Sequence, residues 1–201
     1  MSVVHINFDT ETLGLYENAV VTTLSAVPFT FEDNTPYDEL VRQGFFVKFK
    51  IVEQLKVYGR ETTQSTVDWW KQQSEEAKVF SIKPSADDVT LVEGLNSLTA
   101  FIKESGYDWK KSYLWSRGNA FDFPKIESLY RNCGLEVPFN TFRVRDTRTM
   151  IDCLTGSENG YYRLREGQPK SFVKHHALHD AALDCANLIE IYQTMANESA
   201  T

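Results

Sequence analysis

The sequence predicts an α/β protein built on a mixed sheet of five strands, with helices packed on both faces. Three observations support this class. Alternating or β-rich segments come first, segments of helical composition follow, and strand and helix patterns then alternate to the end of the chain. The predicted order is β-β-β-α-β-α-β-α, which favours one sheet covered by helices. A length of 201 residues suits one domain, which we expect to span residues 1–201.

The first three predicted strands lie near the N-terminus. In "VVHINFD" (3–9), apolar and polar residues alternate, which is the period of a strand. The segments "AVVTTLSAVPFT" (19–30) and "GFFVKFK" (44–50) are rich in β-branched and aromatic residues, and a turn-like "EDNTP" lies between them. Three successive strands predict an antiparallel meander.

The hydrophobic period then changes to that of helices. Residues 65–80 have a helical composition, and residues 85–106 carry the marks of a helix, with Ser85 as its cap and Gly106 at its end. Strand and helix patterns alternate after that, with a buried strand at 111–116, a helix at 122–134, a strand at 140–146, a short helix after it and a final helix at 177–198. Residues 155–176 are the one long loop, and long loops inside compact domains are often functional.

Composition argues against several classes of protein. No apolar run reaches 18 residues, so no membrane partner is expected. The N-terminus begins directly with a strand pattern and does not resemble a signal peptide. Three cysteines, Cys133, Cys153 and Cys185, lie far apart and are odd in number, which is typical of reduced thiols. We therefore expect a cytoplasmic protein, in the host cytoplasm if a phage encodes it.

The charge is distributed unevenly. The net charge of −7 argues against indiscriminate binding to polyanions. Residues 141–175, however, carry seven basic and four acidic residues, so this segment is +3 and the remainder is −10. A solvated loop face explains such a segment as well as a phosphate-binding strip beside an acidic site does.

Carboxylates stand at the ends of two predicted strands. Asp9 and Glu11 in "FDTETLGL" are two residues apart, so both side chains point to one face, where their repulsion favours a cation between them. Simple solvation of strand-end acids explains the pair equally well. Asp122 follows the fourth strand and starts a helix, which suits a metal ligand at a strand end or a helix cap.

The last predicted helix supplies further polar groups. Asp184 lies within an apolar helical face and needs a partner there. Asp180 is explained by an acidic first turn that favours the helix dipole. Hard divalent ions bind carboxylate oxygens, and two such ions about 3.5–4 Å apart can bracket a phosphate. A histidine that titrates near neutral pH suits the general base of such a site.

Three segments together resemble a known family. "FDTETLGL", "GNAFDFPKIESL" and "HDAALDCA" are similar, in this order, to the three motifs of the DEDD 3′–5′ exonucleases. The H-x4-D spacing from His179 to Asp184 resembles the histidine branch, DEDDh. Within it, the sequence looks most like the phage exonuclease A group and the mycobacterial-type exoribonuclease domain. The resemblance covers nearly the whole chain and implies a ribonuclease H-like fold.

The resemblance also implies roles for individual residues. It assigns two ions of Mg²⁺ or Mn²⁺ to the carboxylates of Asp9, Glu11, Asp122 and Asp184, and the general base to His179. Thr12 and Leu13 match positions around the terminal nucleotide, with the apolar side chain as a wedge. Asn119 is the candidate for a further substrate contact, although many members have N-x3-D where this chain has N-x2-D.

The expected function is a metal-dependent 3′–5′ exonuclease that releases mononucleotides from single-stranded DNA with a free 3′ end. An exoribonuclease acting on single-stranded RNA is the alternative, because no residue reads the 2′-hydroxyl unambiguously. A non-catalytic nucleic-acid-binding module is a distant alternative that requires the loss of a motif residue, and all five are present. The oligomeric state is left open, with a homodimer as one option.

Five other residues have open roles. Trp69 and Trp70 are adjacent, so one ring is expected in the core and the other partly exposed, where it could stack on a base. His175 and His176 are expected in the loop before the last helix. Asp146 either supports the site from behind or pairs with a neighbouring arginine.

Overall fold

The computed structural model describes residues 2–198 and shows a mixed five-stranded sheet in the order β3-β2-β1-β4-β5. The strands are β1 (His5–Thr12), β2 (Val21–Phe29), β3 (Phe45–Lys48), β4 (Leu114–Ser116) and β5 (Val144–Asp146). The first three pair antiparallel, whereas β4 pairs parallel with both β1 and β5. The predicted fold class and the antiparallel meander are therefore confirmed.

Helices cover both faces of the sheet. They are α1 (Tyr37–Gln43), α2 (Ile51–Lys56), α3 (Gln64–Lys71), α4 (Glu75–Ser81), α5 (Leu91–Glu104), α6 (Asn119–Asn132), α7 (Thr147–Thr155) and α8 (Ala177–Glu198). The sequence did not predict α1 and α2, which have only seven and six residues. Helices this short gain little from propensity and depend on tertiary packing, so their sequences carry a weak signal.

Helix boundaries differ from the prediction where a cap was missed. The predicted helix at 65–80 is two helices, because Ser74 accepts a hydrogen bond from the Ala77 N–H and so begins α4. Helix α5 begins at Leu91 and not at residue 85, since Thr90 and Glu93 form a capping box there. Residues 141–143 form a 3-10 turn, which shortens the fifth strand.

Two hydrophobic clusters lie on opposite faces of the sheet. The first contains Ile6, Phe8 and Leu24 from the strands and packs under α5 and α6. The second contains Trp115 and the apolar side chains of α8. Because side chains alternate along β1, Asn7 and Asp9 point away from Ile6 and Phe8, towards the face that α8 covers.

Buried hydrogen bonds fix the start of α8 over the polar face of the meander. The Asn7 side chain donates to the Ala181 carbonyl at 2.9 Å, and the Ser25 hydroxyl donates to the Ala177 carbonyl at 2.8 Å. Ser25 is also the strand partner of Asp9. The first turns of α8 are therefore held directly above the acidic end of β1. Among residues 2–198, no helix is long and apolar enough to cross a membrane.

Candidate active site

The first two carboxylates of the site come from the end of β1. Asp9 and Glu11 lie on one face of the strand, and the pairing of β1 with β2 becomes irregular between Glu11 and Thr12. Burial raises the pKa of Asp9 well above its usual range, and repulsion from Asp122, Glu11 and Asp180 raises it further. The pKa of Glu11 is raised by burial and then by Asp180 and Asp122. This end of the strand therefore favours a cation.

The third carboxylate is Asp122, in the first turn of α6. The helix begins at Asn119 after Gly118, so Asp122 is not the helix cap. Its side chain is 3% exposed, and the Thr10 hydroxyl donates to its Oδ1 at 2.6 Å. Burial raises the pKa of Asp122 to about 6, although the bond from Thr10 favours the ionised form. The threonine orients the carboxylate towards the end of β1.

The fourth carboxylate at this place is Asp180, in the first turn of α8. Burial and the nearby Asp184 raise its pKa to about 7, despite a hydrogen bond from the backbone N–H of His175. Ligand atoms of Glu11, His175 and Asp180 all lie within 4.8 Å of one another. The carboxylates of Glu11 and Asp180 are thus close enough to share a cation, with the His175 ring beside them.

His175 is held in the site by the segment before α8. Its backbone has a φ of 62°, in the left-handed region, and its carbonyl accepts a hydrogen bond from the Ser81 hydroxyl. Its ring packs against the edge of Trp69, with ring centroids 4.8 Å apart. Burial and then the Lys174 charge lower the pKa of His175 below its usual 6.5, so the imidazole is neutral at pH 7.

His179, the histidine chosen from the sequence, has different contacts. Its Nδ1 accepts hydrogen bonds from the Tyr37 hydroxyl at 2.9 Å and from the Val173 N–H at 3.1 Å. Because the Val173 N–H is a donor, Nδ1 is the unprotonated nitrogen and Nε2 carries the proton. The basic nitrogen of His179 is thus already occupied by two donors.

Asp184, the ligand chosen from the sequence, is paired with an arginine. The Arg117 Nε and Nη2 donate to its Oδ1 at 2.8 and 2.6 Å, and Arg117 Nη1 donates to the Gly160 carbonyl. Asp184 raises the pKa of Asp9 less than Asp180 does. The partner that the sequence required for Asp184 is therefore Arg117, and Asp180 takes the place beside Glu11.

This geometry differs from the roles predicted for His179 and Asp184. The sequence contains a second pair with the same spacing, which points to the alternative. In "KHHALHDAALD" the H-x4-D spacing occurs twice, from His175 to Asp180 and from His179 to Asp184. Asp180 and Asp184 are one helical turn apart, so either alignment places an aspartate on the same face of α8. Only the contacts of the two histidines separate the alternatives.

A cavity of about 390 Å³ opens beside Glu11. Its walls are formed by the end of β1, the loop after it, α3 and the start of α6, with Thr10, Glu11, Thr12, Gly14, Leu15, Ser65, Thr66, Trp69, Trp70 and Phe121 as the lining residues. Thr12 lines it, and its contact with a terminal nucleotide stays a prediction. Leu13 does not line it, whereas the exposed Leu15 does. The structure thus offers Leu15 as the apolar side chain at this cavity.

One of the two adjacent tryptophans is buried in the core and the other is partly exposed, as predicted. Trp70 is 1% exposed and donates from its Nε1 to the Thr12 carbonyl at 2.8 Å, whereas Trp69 is 40% exposed on the cavity wall.

His176 is buried against Phe46 and Phe80. Burial lowers the pKa of His176 to about 4, so it is a neutral packing residue.

Asp146 links the start of α7 to the start of α6, and no ion pair between it and an arginine occurs within residues 2–198. It caps α7 through the Thr149 N–H, and its other oxygen accepts the backbone N–H of Asn119 at 3.1 Å. Asn119 thus contributes its backbone to the start of α6, which carries Asp122. A direct substrate contact by the Asn119 side chain remains a prediction.

The fold and the acidic site together define a class of protein. The nuclease domain of 3′hExo, a DEDDh family member solved bound to rAMP, superimposes with a TM-score of 0.61 at 12% identity, over 98% of this chain and 93% of that one. An E. coli ExoI–ssDNA complex with bound zinc gives 0.61 at 11% identity, over 98% of this chain and 42% of that one. The fold is that of the DEDDh exonucleases.

Sequence comparison gives the particular family. Residues 4–192 match the model of the family described as the 3′-5′ exoribonuclease Rv2179c-like domain, and the chain belongs to this family. The exodeoxyribonuclease of Enterobacteria phage T4 is 35% identical over 195 residues, which cover 88% of this chain and 83% of that protein. The predicted resemblance is confirmed, and the chain is a 3′–5′ exonuclease.

Proposed function

We propose that this exonuclease acts on single-stranded DNA with a free 3′ end and releases mononucleotides. The named activity of the T4 relative supports DNA. The family description supports single-stranded RNA as the second candidate. The cavity beside Glu11 supports binding of one terminal nucleotide, because Trp69 and Phe121 offer aromatic faces for a base.

We propose that Asp9, Glu11, Asp122 and Asp180 hold two divalent ions, Mg²⁺ or Mn²⁺. The observation that carries this proposal is the convergence of four buried carboxylates: burial raises the pKa of each, and repulsion from neighbouring carboxylates raises those of Asp9, Glu11 and Asp180 further. The hydrogen bonds of Arg117 go to Asp184 and Gly160. Its charge favours the ionised form of Asp180, but the pKa of Asp180 is still raised. Oxygen ligands with excess negative charge fit hard divalent ions. The chemistry that such ions supply is polarisation of the phosphate and activation of water.

We propose His175 as the general base. Its ring lies beside Glu11 and Asp180 and is neutral at pH 7, so a ring nitrogen can accept a proton from the water that attacks the terminal phosphodiester. The alternative keeps the roles predicted from the sequence, with His179 as the base and Asp184 as the fourth ligand. In that case the segment carrying His179 must release Tyr37 and Val173 before it can act.

Parallel digestion of 5′-labelled single-stranded DNA and RNA of one sequence tests the proposal, with Mg²⁺, Mn²⁺ or a chelator. We expect a ladder that shortens from the 3′ end, faster cleavage of DNA than of RNA, and no cleavage with the chelator. Asp9→Asn should be inactive, whereas Asp87→Asn, at an exposed aspartate outside the site, should match the unchanged protein. Faster cleavage of RNA would favour the second candidate. Strand binding without any product would favour a non-catalytic module.

A further inference from the structure

A surface outside the catalytic site combines exposed aromatic rings with cations. It lies at the amino ends of β4 and β5, whereas the carboxylates lie at the carboxyl ends of β1 and β4. We name it the edge patch and define it as Trp109, Lys110, Lys111, Phe142, Arg143 and Arg145. The catalytic proposal uses none of these residues.

Two segments form the edge patch as one continuous surface. The Asn140 side chain donates to the Trp109 carbonyl at 3.2 Å. Arg143 donates from Nε to the Ser112 carbonyl at 2.8 Å and from Nη2 to the Lys111 carbonyl at 2.7 Å. These bonds hold the 3-10 turn at 141–143 against the loop before β4, so the patch residues keep fixed relative positions.

The aromatic rings of the patch are not explained by packing. Phe142 is 93% exposed and Trp109 is 53% exposed, so neither ring gains the free energy of full burial. The guanidinium groups of Arg143 and Arg145 each lie 4.2 Å from the centroid of the Tyr113 ring. Stacking on Tyr113 keeps both cations ordered on this edge. Exposed rings beside ordered cations indicate a binding surface.

The charge of the patch is opposite to that of the protein. Residues 107–113 and 140–145 contain four cations and one carboxylate, a charge of +3 that leaves −10 for the rest of the chain. The one carboxylate, Asp108, accepts hydrogen bonds from the backbone N–H groups of Lys110 and Lys111. A polyanion is therefore attracted to this patch and repelled by most of the remaining surface.

We infer that the edge patch binds the single-stranded substrate on the 5′ side of the bond being cut. This inference rests on the proposed function. The edge strand β5 joins the two places, since Asp146 at its end contacts Asn119 at the start of α6, and Arg143 lies just before its other end. Three strand residues span only about 10 Å. Phosphates then meet the cations, and bases stack on Trp109 and Phe142.

Strands of different lengths distinguish binding at the edge patch from binding at the catalytic site, because only a long strand can reach both. The test variant combines Lys110→Ala, Lys111→Ala and Phe142→Ser, all at exposed positions. Its matched control, Lys56→Ala with Val57→Ser, removes an exposed cation and an exposed apolar side chain at the end of α2. Binding of labelled single strands is measured with a chelator present across a salt series, and hydrolysis is measured with Mg²⁺ or Mn²⁺.

We expect the patch variant to bind strands of about 12 nucleotides at least tenfold more weakly, while hydrolysing strands of about 3 nucleotides at an unchanged rate. Removal of two cations should also lower the salt dependence of binding, by a slope of about 1.4. The control variant should match the unchanged protein in both assays.

Long-strand binding that is unaffected by the patch variant would overturn the inference and leave an acidic protein or a second copy of the chain as the occupant. Equal loss on short and long strands would also overturn it, because the substitutions would then act on the catalytic site or on folding. Failure of the proposed function looks different, since the unchanged protein would then fail to hydrolyse even the short strand.

Discussion

Two histidines each stand five residues before an aspartate, and their contacts give them different chemistry. His175 lies beside Glu11 and Asp180 with its ring against Trp69. The Nδ1 of His179 accepts from Tyr37 and Val173 and so ties the start of α8 to α1. A base needs an unoccupied nitrogen near the attacking water, so the contacts favour His175.

The matched pair His175→Ala and His179→Ala tests this assignment. We expect His175→Ala to lower kcat by about 10²–10⁴-fold, the usual contribution of a general base. His179→Ala should lower it far less, through looser packing of α8. The kcat of the unchanged protein should rise with pH and flatten once His175 is neutral, and the histidine-dependent part of this rise should be missing in His175→Ala. A larger loss of kcat in His179→Ala would restore the assignment made from the sequence.

The charge of Asp180 should destabilise the metal-free protein. Its pKa of about 7 in the folded protein lies above the usual 3.8. The free energy of unfolding therefore falls as the pH rises above 3.8, where Asp180 ionises in the unfolded chain, and this loss is complete above about pH 7. Asp180→Asn removes the charge and keeps an oxygen that accepts the His175 N–H. With a chelator at pH 8, we expect Asp180→Asn to be more stable than the unchanged protein by about 1–2 kcal/mol after allowance for solvent screening.

Urea unfolding at pH 8, 6 and 4 measures this effect, because the difference between the two proteins cancels the titration of groups that do not interact with Asp180. The advantage of Asp180→Asn should shrink as the pH falls and should vanish near pH 4. An advantage that does not change with pH would show that the raised pKa of Asp180 is not its cause.

At the scale of elements, the site depends on how α6 meets the loop after β1. Lys125 is 1% exposed, and its Nζ donates to the carbonyls of Leu15 and Phe121, each at 3.0 Å. The same ammonium lies 3.2 Å from the centroid of the Phe121 ring. Leu15 and Phe121 both line the cavity beside Glu11, so Lys125 fixes two of its walls.

Replacement of Lys125 should therefore affect both stability and substrate binding. Lys125→Met keeps most of the side-chain volume but removes the ammonium donor from the Leu15 and Phe121 carbonyls, so we expect a loss of about 1–3 kcal/mol in the free energy of unfolding. KM for single strands should rise as the cavity walls loosen. Lys56→Met, at an exposed lysine of α2, is the matched control and should change neither quantity. Unchanged stability in Lys125→Met would mean that water replaces the ammonium without cost.

At the scale of the whole molecule, one sheet joins the two hydrophobic clusters. Strand β2 sends Leu24 into the first cluster and Val27 into the second, and β4 sends Leu114 into the first and Trp115 into the second. Neither cluster is complete without these shared strands. We therefore propose that the chain unfolds as a single domain, with circular dichroism and tryptophan fluorescence reporting one coincident transition. Two separated transitions would contradict this.

Divalent ions should stabilise the folded protein as a whole. Ions that bind the native carboxylates add RT ln(1 + [L]/Kd), which is about 2.7 kcal/mol when the ion is at 100 times its Kd. Mg²⁺ or Mn²⁺ should raise the Tm of the unchanged protein and raise that of Asp9→Asn much less. Thermal unfolding with each ion and with a chelator measures the difference. An equal rise in both proteins would place the stabilising ions elsewhere.

Sequence reasoning succeeded where the signal was local. Alternation in residues 3–9 predicted β1, and the apolar run at 111–116 predicted β4. The boundaries of α5 and α6 were less accurate. The capping box of Thr90 and Glu93 was not recognised, and Gly118 precedes α6 without a side-chain cap. The short helices α1 and α2 carry too few residues for a periodic pattern, so they were missed.

The sequence by itself determined the class of the protein, since three motifs in order and a strand-rich N-terminal region were enough to predict a 3′–5′ exonuclease on a mixed sheet. Tertiary structure decided which histidine and which aspartate face the acidic end of β1. The H-x4-D spacing occurs twice in eleven residues, so the spacing alone does not identify which pair lies in the site. Asn7 and Ser25 fix the start of α8 through the Ala181 and Ala177 carbonyls, and this long-range contact brings Asp180 beside Glu11. No local pattern encodes that contact, because its partners lie more than 150 residues apart in the chain.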